Sequence, residues 1–403
     1  MGLLLSGCTT AQKTVTPAES HAQGDAGAAA SDAALPSADD SGDALGPLQD
    51  ATEQADAPPD DGAIDDASES ATDDGPSLDA HDASASDAAA EATSSCGHDC
   101  QGGACVMGVC QPVVLASMSC GGPGQNITLD SNNVYWSWGA CGGARPKDFA
   151  LSDCIAAGTC VFSTPKAGGT TTPLAVGLAP LAINATSVFY DTSSAVMAVP
   201  LTGGTATTIA SPGCLSVAAD SANVYWTTPT SLFPAVLSAP VTGGTPTTLA
   251  TGQAPRAIAI DANHVYFTDA TAGTINAVPI GAGPVTVLAS GQTFAVAMVI
   301  DSTGIYWTTA STSAGSVMSM PLGGGAPTTL AAGAGYGGPI AVDSANVYFS
   351  GSAGLMSVPL HGGTPTTLAG SQGANALAVD STSIYWTAAQ AGGMSLLKLA
   401  KPQ

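Results

Sequence analysis

Three observations predict an all-β fold, a seven-bladed β-propeller. An aromatic pair preceded by Val or Ile recurs seven times: Tyr135-Trp136, Phe189-Tyr190, Tyr225-Trp226, Tyr266-Phe267, Tyr306-Trp307, Tyr348-Phe349 and Tyr385-Trp386. Successive pairs lie 54, 36, 41, 40, 42 and 37 residues apart, the period of a four-stranded blade. The last copy stops at Leu399 without its fourth strand, whereas Val113-Val114-Leu115-Ala116 stands before the first copy and matches the missing piece. An N-terminal strand that completes the last blade closes the ring at seven; six blades follow only if the divergent Phe189-Tyr190 copy is not a full blade.

Within a copy every local signal is of β type. In Ala257 to Ala289, Ala257–Ile260 is a short apolar run and His264–Thr268 alternates β-branched and aromatic residues. Between them Asp261-Ala262-Asn263 has the chemistry of an Asx turn. The same acid or amide recurs five residues before each pair, as Asp130, Asn184, Asp220, Asp261, Asp301, Asp343 and Asp380. Its fixed place before a tight turn reads as turn capping, not as a ring of carboxylates for a cation. A third strand such as Val236–Val241 ends at Gly243-Gly244, which suits a two-residue hairpin turn. The fourth, Thr245–Ala250, is Thr-rich, and Pro246, Pro327 and Pro365 stand at the start of such strands. Proline blocks edge-to-edge pairing, so this strand belongs on the rim. The narrow Ala/Val/Ile first strand suits the centre.

Ahead of the repeats lie three other segments. The chain is 403 residues long with net charge -24, yet 20 of its 31 acids fall in residues 9–95. From Gln111 onward there are ten acids and six Lys or Arg, so no basic stripe exists to neutralise phosphates and nucleic acid is excluded as a partner. Residues 9–95, rich in Ala, Asp, Ser and Gly and free of aromatics, read as a disordered linker with a reach of about 50 Å. In residues 1–8, Leu5-Ser6-Gly7-Cys8 resembles the lipobox of bacterial lipoproteins. The resemblance implies export, lipidation at Cys8 and an address at the outer membrane or cell surface, with membrane contact through the lipid only. Residues 96–111 hold Cys96, Cys100, Cys105 and Cys110 in a C-x3-C-x4-C-x4-C pattern. Such a knot suits zinc or two disulfides; an oxidising compartment favours disulfides, with three connectivities open. Cys141, Cys154 and Cys160 fall in or beside an insertion of the first copy and are expected to stiffen it with a further disulfide.

From residue 112 to 403, Tyr225-Trp226-Thr227 and Tyr306-Trp307-Thr308 after an Asp-ended strand resemble the repeats of YWTD-like and NHL-like propellers. The tails of the form V-P-L-x-G-G-T-P-T-T-L-A are similar to repeats of bacterial surface lipoproteins. Such motifs are specific for fold and poor for activity, because these propellers host binding proteins, sensors, lyases and hydrolases alike. The five histidines show no metal-ligand spacing and no cofactor motif is present, so catalytic, metal and cofactor sites are all read as none. Ser163-Thr164-Pro165-Lys166 matches S-x-x-K, but a strand carrying proline cannot place Ser and Lys on one helical turn.

Comparison between copies is more informative. Turns joining strands 1 to 2 and 3 to 4 are nearly uniform, whereas the loops joining 2 to 3, and 4 to the next 1, vary in length and sequence. Uniformity suits scaffold and variation suits recognition. Aromatics outside the pairs and the third strand, namely Trp138, Phe149, Phe233, Phe294 and Tyr336, are all expected in the variable set, with Arg145, Arg256 and Asp269 beside them. These eight are the candidate binding residues for an unknown protein or glycan. The alternative is an enzyme, a lyase or hydrolase with a central-channel site, for which Asp191, Asp269 and Arg256 are the titratable groups on offer.

Overall fold

The computed structural model describes residues 96–97, 99–118, 126–139, 159–229, 234–251, 254–292, 294–310, 315–332, 337–370, 373–390 and 393–402. The lipobox, the acidic linker of residues 9–95 and most of the first-copy insertion lie outside them. The described residues form seven four-stranded antiparallel sheets, six of them simple meanders, and one two-stranded hairpin. One blade runs Pro255–Ile260, His264–Asp269, Thr274–Pro279 and Thr286–Ala289. The innermost strand of every blade touches those of both neighbours, and the seventh touches the first. The ring is therefore closed at seven. The closing blade is composite: Ala376–Val379, Ser383–Gln390 and Gly393–Ala400 are completed by Val113–Met118. Val114 pairs with Leu397 and Ala116 with Leu396, with a bulge between them. The same bulge interrupts the outer pair of the other six blades, so the N-terminal strand reproduces the missing fourth strand in register as well as in composition.

The aromatic pairs explain the packing. Adjacent residues of a strand face opposite sides of the sheet, so each pair sends one ring toward each neighbouring blade. Every one of the seven blade interfaces accordingly holds the first aromatic of one blade and the second of the next: Tyr135 with Tyr190, Phe189 with Trp226, Tyr225 with Phe267, and so on round to Tyr385 with Trp136. Almost all these rings are fully buried.

The repeated acid caps its turn as expected, and it does more. In Asp220, Oδ1 accepts the backbone N–H groups of Ala222 and Asn223 at 2.7 and 2.6 Å, while Oδ2 accepts the Tyr225 hydroxyl at 2.9 Å. Six blades repeat this Asp–Tyr bond. The second blade lacks it because both partners change together. Phe189 has no hydroxyl, and Asn184 keeps the turn through Oδ1, bonding Thr186 and Ser187 N–H at 2.9 Å each, while its amide donates to the Asp220 carbonyl in the next blade. One expectation is corrected. The connection between strands 3 and 4 is not a two-residue hairpin turn: strand 3 ends at Pro240 and strand 4 begins at Thr247. The Gly243 N–H closes on the Pro240 carbonyl at 2.8 Å, and Gly243 at φ 84 and Gly244 at φ 151 carry the chain around to Pro246, which cannot join the ladder.

The closing blade is also latched ionically. In five blades the residue after the strand-3 proline is apolar (Leu201, Val241, Ile280, Leu322 and Leu360) and packs on the preceding blade. On the two sides of the closing blade that place is taken by Lys. Lys166 pairs with Asp380 at 2.9 Å and lies 5.5 Å from the Tyr385 ring centroid. Lys401 pairs with Asp343 and lies 5.3 Å from the Tyr348 ring centroid. Lys166 of the S-x-x-K match thus serves the scaffold, and Ser163 is a buried residue of the third strand, paired with Tyr135.

The cysteine knot resolves to Cys96–Cys105 and Cys100–Cys110, so the four sulfurs that could have held zinc are bonded in pairs. Cys110 is buried in the core between the sixth and closing blades, with Cys96 and Cys100 packed against it. Cys160 is disulfide-bonded too, whereas Cys141 and Cys154 lie outside the described residues.

The Asp–Tyr bonds generate two predictions. In a double-mutant cycle, Asp220→Asn and Tyr225→Phe should each destabilise by about 1 kcal/mol, and the double variant should lose clearly less than the sum, because the second blade already carries that combination. Urea denaturation measures it, and strict additivity would contradict the coupling. The second concerns pH. Burial alone would raise the carboxyls of Asp130, Asp261, Asp343 and Asp380, but hydrogen bonds from tyrosine and backbone, and from Lys in the last two, outweigh it and hold them below the usual carboxylate range. Burial, then the Asp partner, pushes Tyr135 and Tyr225 up to about 12. A depressed carboxyl contributes stability above its unfolded pKa of about 4, lost as pH falls through the folded value. A raised phenol contributes below its unfolded pKa of about 10, lost as pH rises through the folded value. The denaturation midpoint should be flat between about pH 5 and 9 and fall on both sides.

Candidate functional site

The meander places the strand 2–3 loops and the entries to strand 1 on one face, opposite the uniform Asx turns. Three exposed side chains stand at adjacent entries on this face. Leu215 precedes the innermost strand of the third blade, Arg256 lies at the start of that of the fourth, and Phe294 precedes that of the fifth. These innermost strands touch one another in that order. Leu215 is 43% and Phe294 62% exposed. Arg256 is exposed within a bulge between Pro255 and Ile258, and its carbonyl accepts the Thr227 hydroxyl of the third blade at 3.1 Å. Phe294 sits at φ 59, a left-handed conformation that is an outlier for a bulky side chain. Its carbonyl accepts the Ala310 N–H at 2.9 Å, which fixes the strained residue to the adjacent strand. They occupy three successive blade entries, with Arg256 between Leu215 and Phe294 in blade order.

Leu215 was not among the candidates expected from the sequence. The available signal was positional: Leu215 and Arg256 each lie five residues before the capping Asp of their blade. Trp138 is placed differently from expectation. It belongs to strand Asn133–Gly139, not to a loop, and is 7% exposed with its ring 6.4 Å from that of Phe162. The strand simply runs three residues further than the pair, to Gly139, and Trp138 falls on the same side as Trp136. Phe149, Phe233, Tyr336 and Arg145 lie outside the described residues.

The acids of this face are also spent internally. Asp269 is 2% exposed; Oδ1 accepts the N–H groups of Thr271 and Ala272 at 2.8 Å each, and Oδ2 accepts that of Ala254 at 3.1 Å. It ties its own blade's strand 2–3 turn to the entry of strand 1. Asp191 is 1% exposed and accepts Ser193 N–H at 2.8 Å and Cys214 N–H at 3.0 Å, joining the second blade to the entry of the third. Burial pushes its carboxyl above the usual range against these bonds. A Cβ on Gly213 would come within 2.4 Å of Asp191 Oδ1, so that residue must be glycine for the junction to close. Neither acid hydrogen-bonds Arg256 among the described residues.

The chain is a seven-bladed β-propeller of the simple four-stranded meander type. No protein-family model matches it, and no curated protein matches it in sequence. Among solved structures it is similar to a streptogramin B lyase, with 12% identity over 72% of this chain and 98% of that one and a TM-score of 0.54. It is similar also to the virginiamycin B lyase from Staphylococcus aureus, with 12% identity, the same coverage and a TM-score of 0.52. A chain of a nidogen/laminin complex matches at 20% identity over 50% of this chain and 85% of that one, with a TM-score of 0.42. Likeness at these identities is likeness of fold alone.

Proposed function

We propose that the protein is an exported, lipid-anchored propeller of the cell surface or outer membrane whose variable face binds a protein or glycan ligand. The observation that supports binding is Phe294, a large aromatic side chain 62% exposed and held at φ 59. A bulky residue persists in such a conformation where its neighbours over-determine it, and these outliers gather at binding sites. Arg256 and Leu215 extend the surface to three blades, combining an aromatic, an apolar group and a planar cation, the mixture that dominates recognition hot spots. The tether half of the proposal rests on Leu5-Ser6-Gly7-Cys8 and the acidic, aromatic-free segment that follows.

The second reading, a lyase or hydrolase in the central channel, requires titratable groups that converge on a cleft. Asp191 and Asp269 are both buried, with their oxygens engaged by backbone N–H groups. The binding reading therefore stands first.

On arrays of bacterial glycans and surface proteins, Phe294→Ala, Arg256→Ala and Tyr336→Ala should each lose about tenfold or more in affinity relative to the parent chain, the effect of removing a hot-spot residue. Their thermal midpoints should stay nearly unchanged. Intact binding with a large drop in midpoint would sink the assignment. Mass spectrometry of the mature protein should find a diacylglyceryl Cys8 at its N-terminus, and an unmodified Met1 would refute the anchor.

A further inference from the structure

The disulfide knot carries a feature that neither the ring nor its variable face uses. Cys105–Val106 pairs with Val109–Cys110 as a hairpin, with Cys105 opposite Cys110 and Val106 opposite Val109. Alternation along the strands divides the hairpin into two sides. Its cysteine side is bonded to Cys96 and Cys100, and Cys110 is packed into the core between the sixth and closing blades. Its valine side is in water, with Val106 49% and Val109 56% exposed. Met107 at the tip is 91% exposed.

The turn makes this exposure informative. Met107 has φ 50 and Gly108 φ 78, the two positive values of a turn that favours Asn-Gly or Asp-Gly at its centre. Methionine in the first place is unfavourable for the backbone and leaves an unbranched apolar side chain in solvent. Polar asparagine would serve the fold better on both counts. The two disulfides hold the turn despite that cost, and a local outlier kept in this way points to function.

We propose that Val106, Met107 and Val109 form a rigid apolar tip that dips into the interface of an electrically neutral lipid bilayer. This rests on the lipid-anchor reading above. Residues 9–95 run from Cys8 and end at Cys96, the first residue of the knot, so the tip stands at the end of the tether that leads from the membrane. Asp99 is the one acid of the knot and lies outside the hairpin, where Gln101 donates to its carboxylate. No Asp, Glu, Lys or Arg occurs from Cys100 to Leu129, so the hairpin itself carries no charge to desolvate when the tip enters the interface. Three side chains hold a free protein at a surface only weakly, but tethering raises the effective concentration to the order of millimolar. The weak contact then suffices to orient the propeller relative to the bilayer.

The test is independent of native lipidation. The full chain with Cys8→Ser and an N-terminal polyhistidine is captured on phosphatidylcholine vesicles bearing chelated nickel, and hydrogen–deuterium exchange is followed by mass spectrometry. Exchange in residues 104–111 should slow several-fold on capture, while the blade peptides are unchanged. Met107→Asn and the Val106→Thr/Val109→Thr pair should abolish the slowing, and Met107→Asn should leave the thermal midpoint equal or higher. Unchanged exchange in the captured parent chain overturns the proposal and leaves a protein partner as the occupant of the tip. Loss of the lipid anchor would show separately, as an unmodified Met1 in the native protein, so the two failures are distinguishable.

Discussion

The fold depends on one geometric constraint: two consecutive side chains of an extended strand must face opposite ways. A single blade with one aromatic on each face cannot bury either alone. Placed in a ring, each ring system lies against the opposite-facing ring system of its neighbour, as Tyr225 does with Phe267 and Tyr266 with Trp307. Burying an aromatic side chain removes about 150–250 Å² from water, or about 4–6 kcal/mol at 25 cal/mol/Å². That exceeds several-fold the roughly 1 kcal/mol of a hydrogen bond such as Tyr225 to Asp220. The difference in scale accounts for what the repeats tolerate. Trp136 Nε1 donates to Thr164 at 2.9 Å, but Trp226, Trp307 and Trp386 have buried indole N–H groups without a partner among the described residues. At the place of Thr164 their blades carry Ala239, Met320 and Leu399. An orphaned donor costs about 1–3 kcal/mol, which the buried ring outweighs.

A ring built from equal interfaces has one special place, where the chain ends meet. There Val113–Met118 completes the blade begun by the C-terminal strands, and backbone pairing spans nearly the whole length of the propeller. At both flanks of this blade lysine replaces the apolar residue used elsewhere, and Lys166 and Lys401 reach the capping Asp of the preceding blade. Each ammonium lies over an aromatic ring and at the same time neutralises a partly buried carboxylate. Two of the few cations in the repeat region are thus committed to closure, which leaves Arg256 as an exposed cation on the variable face.

The candidate site was legible in parts. Phe294 stood out because it belongs to no pair, and it is indeed exposed. Asp269 and Asp191 were the acids on offer for chemistry on that face, yet both are buried staples between loop and strand. Individuality in a repeat marks a departure from the common structure; it does not tell whether the departure serves a ligand or the junction. Exposure decides that, and exposure depends on the bulge at Arg256 and the left-handed turn at Phe294. Leu215 escaped notice because leucine is the residue a buried position would carry as readily as an exposed one.

While the choice of seven blades over six fell to the closed ring of innermost strands, the sequence by itself determined the period of the blades, the order of strands within them, the identity of the closing strand and the role of the capping Asp. These follow from local rules, period-two alternation, Asx-turn chemistry and proline at the rim, each repeated seven times or nearly so, so that the copies check one another. Only the tertiary structure decided the pairing of Tyr with Asp across the turn, the Cys96–Cys105 and Cys100–Cys110 connectivity, the latching lysines and the exposed tip at Met107. The lysines depend on distances between residues of different blades, and the disulfides and the tip on which side of a hairpin meets the core. The Tyr–Asp bond, though it spans only five residues, depends on the turn geometry that brings hydroxyl to carboxylate. The same holds for the motif at Tyr266-Phe267-Thr268-Asp269: its place in the blade could be read from the chain, but its carboxylate's commitment to three backbone N–H groups required the fold.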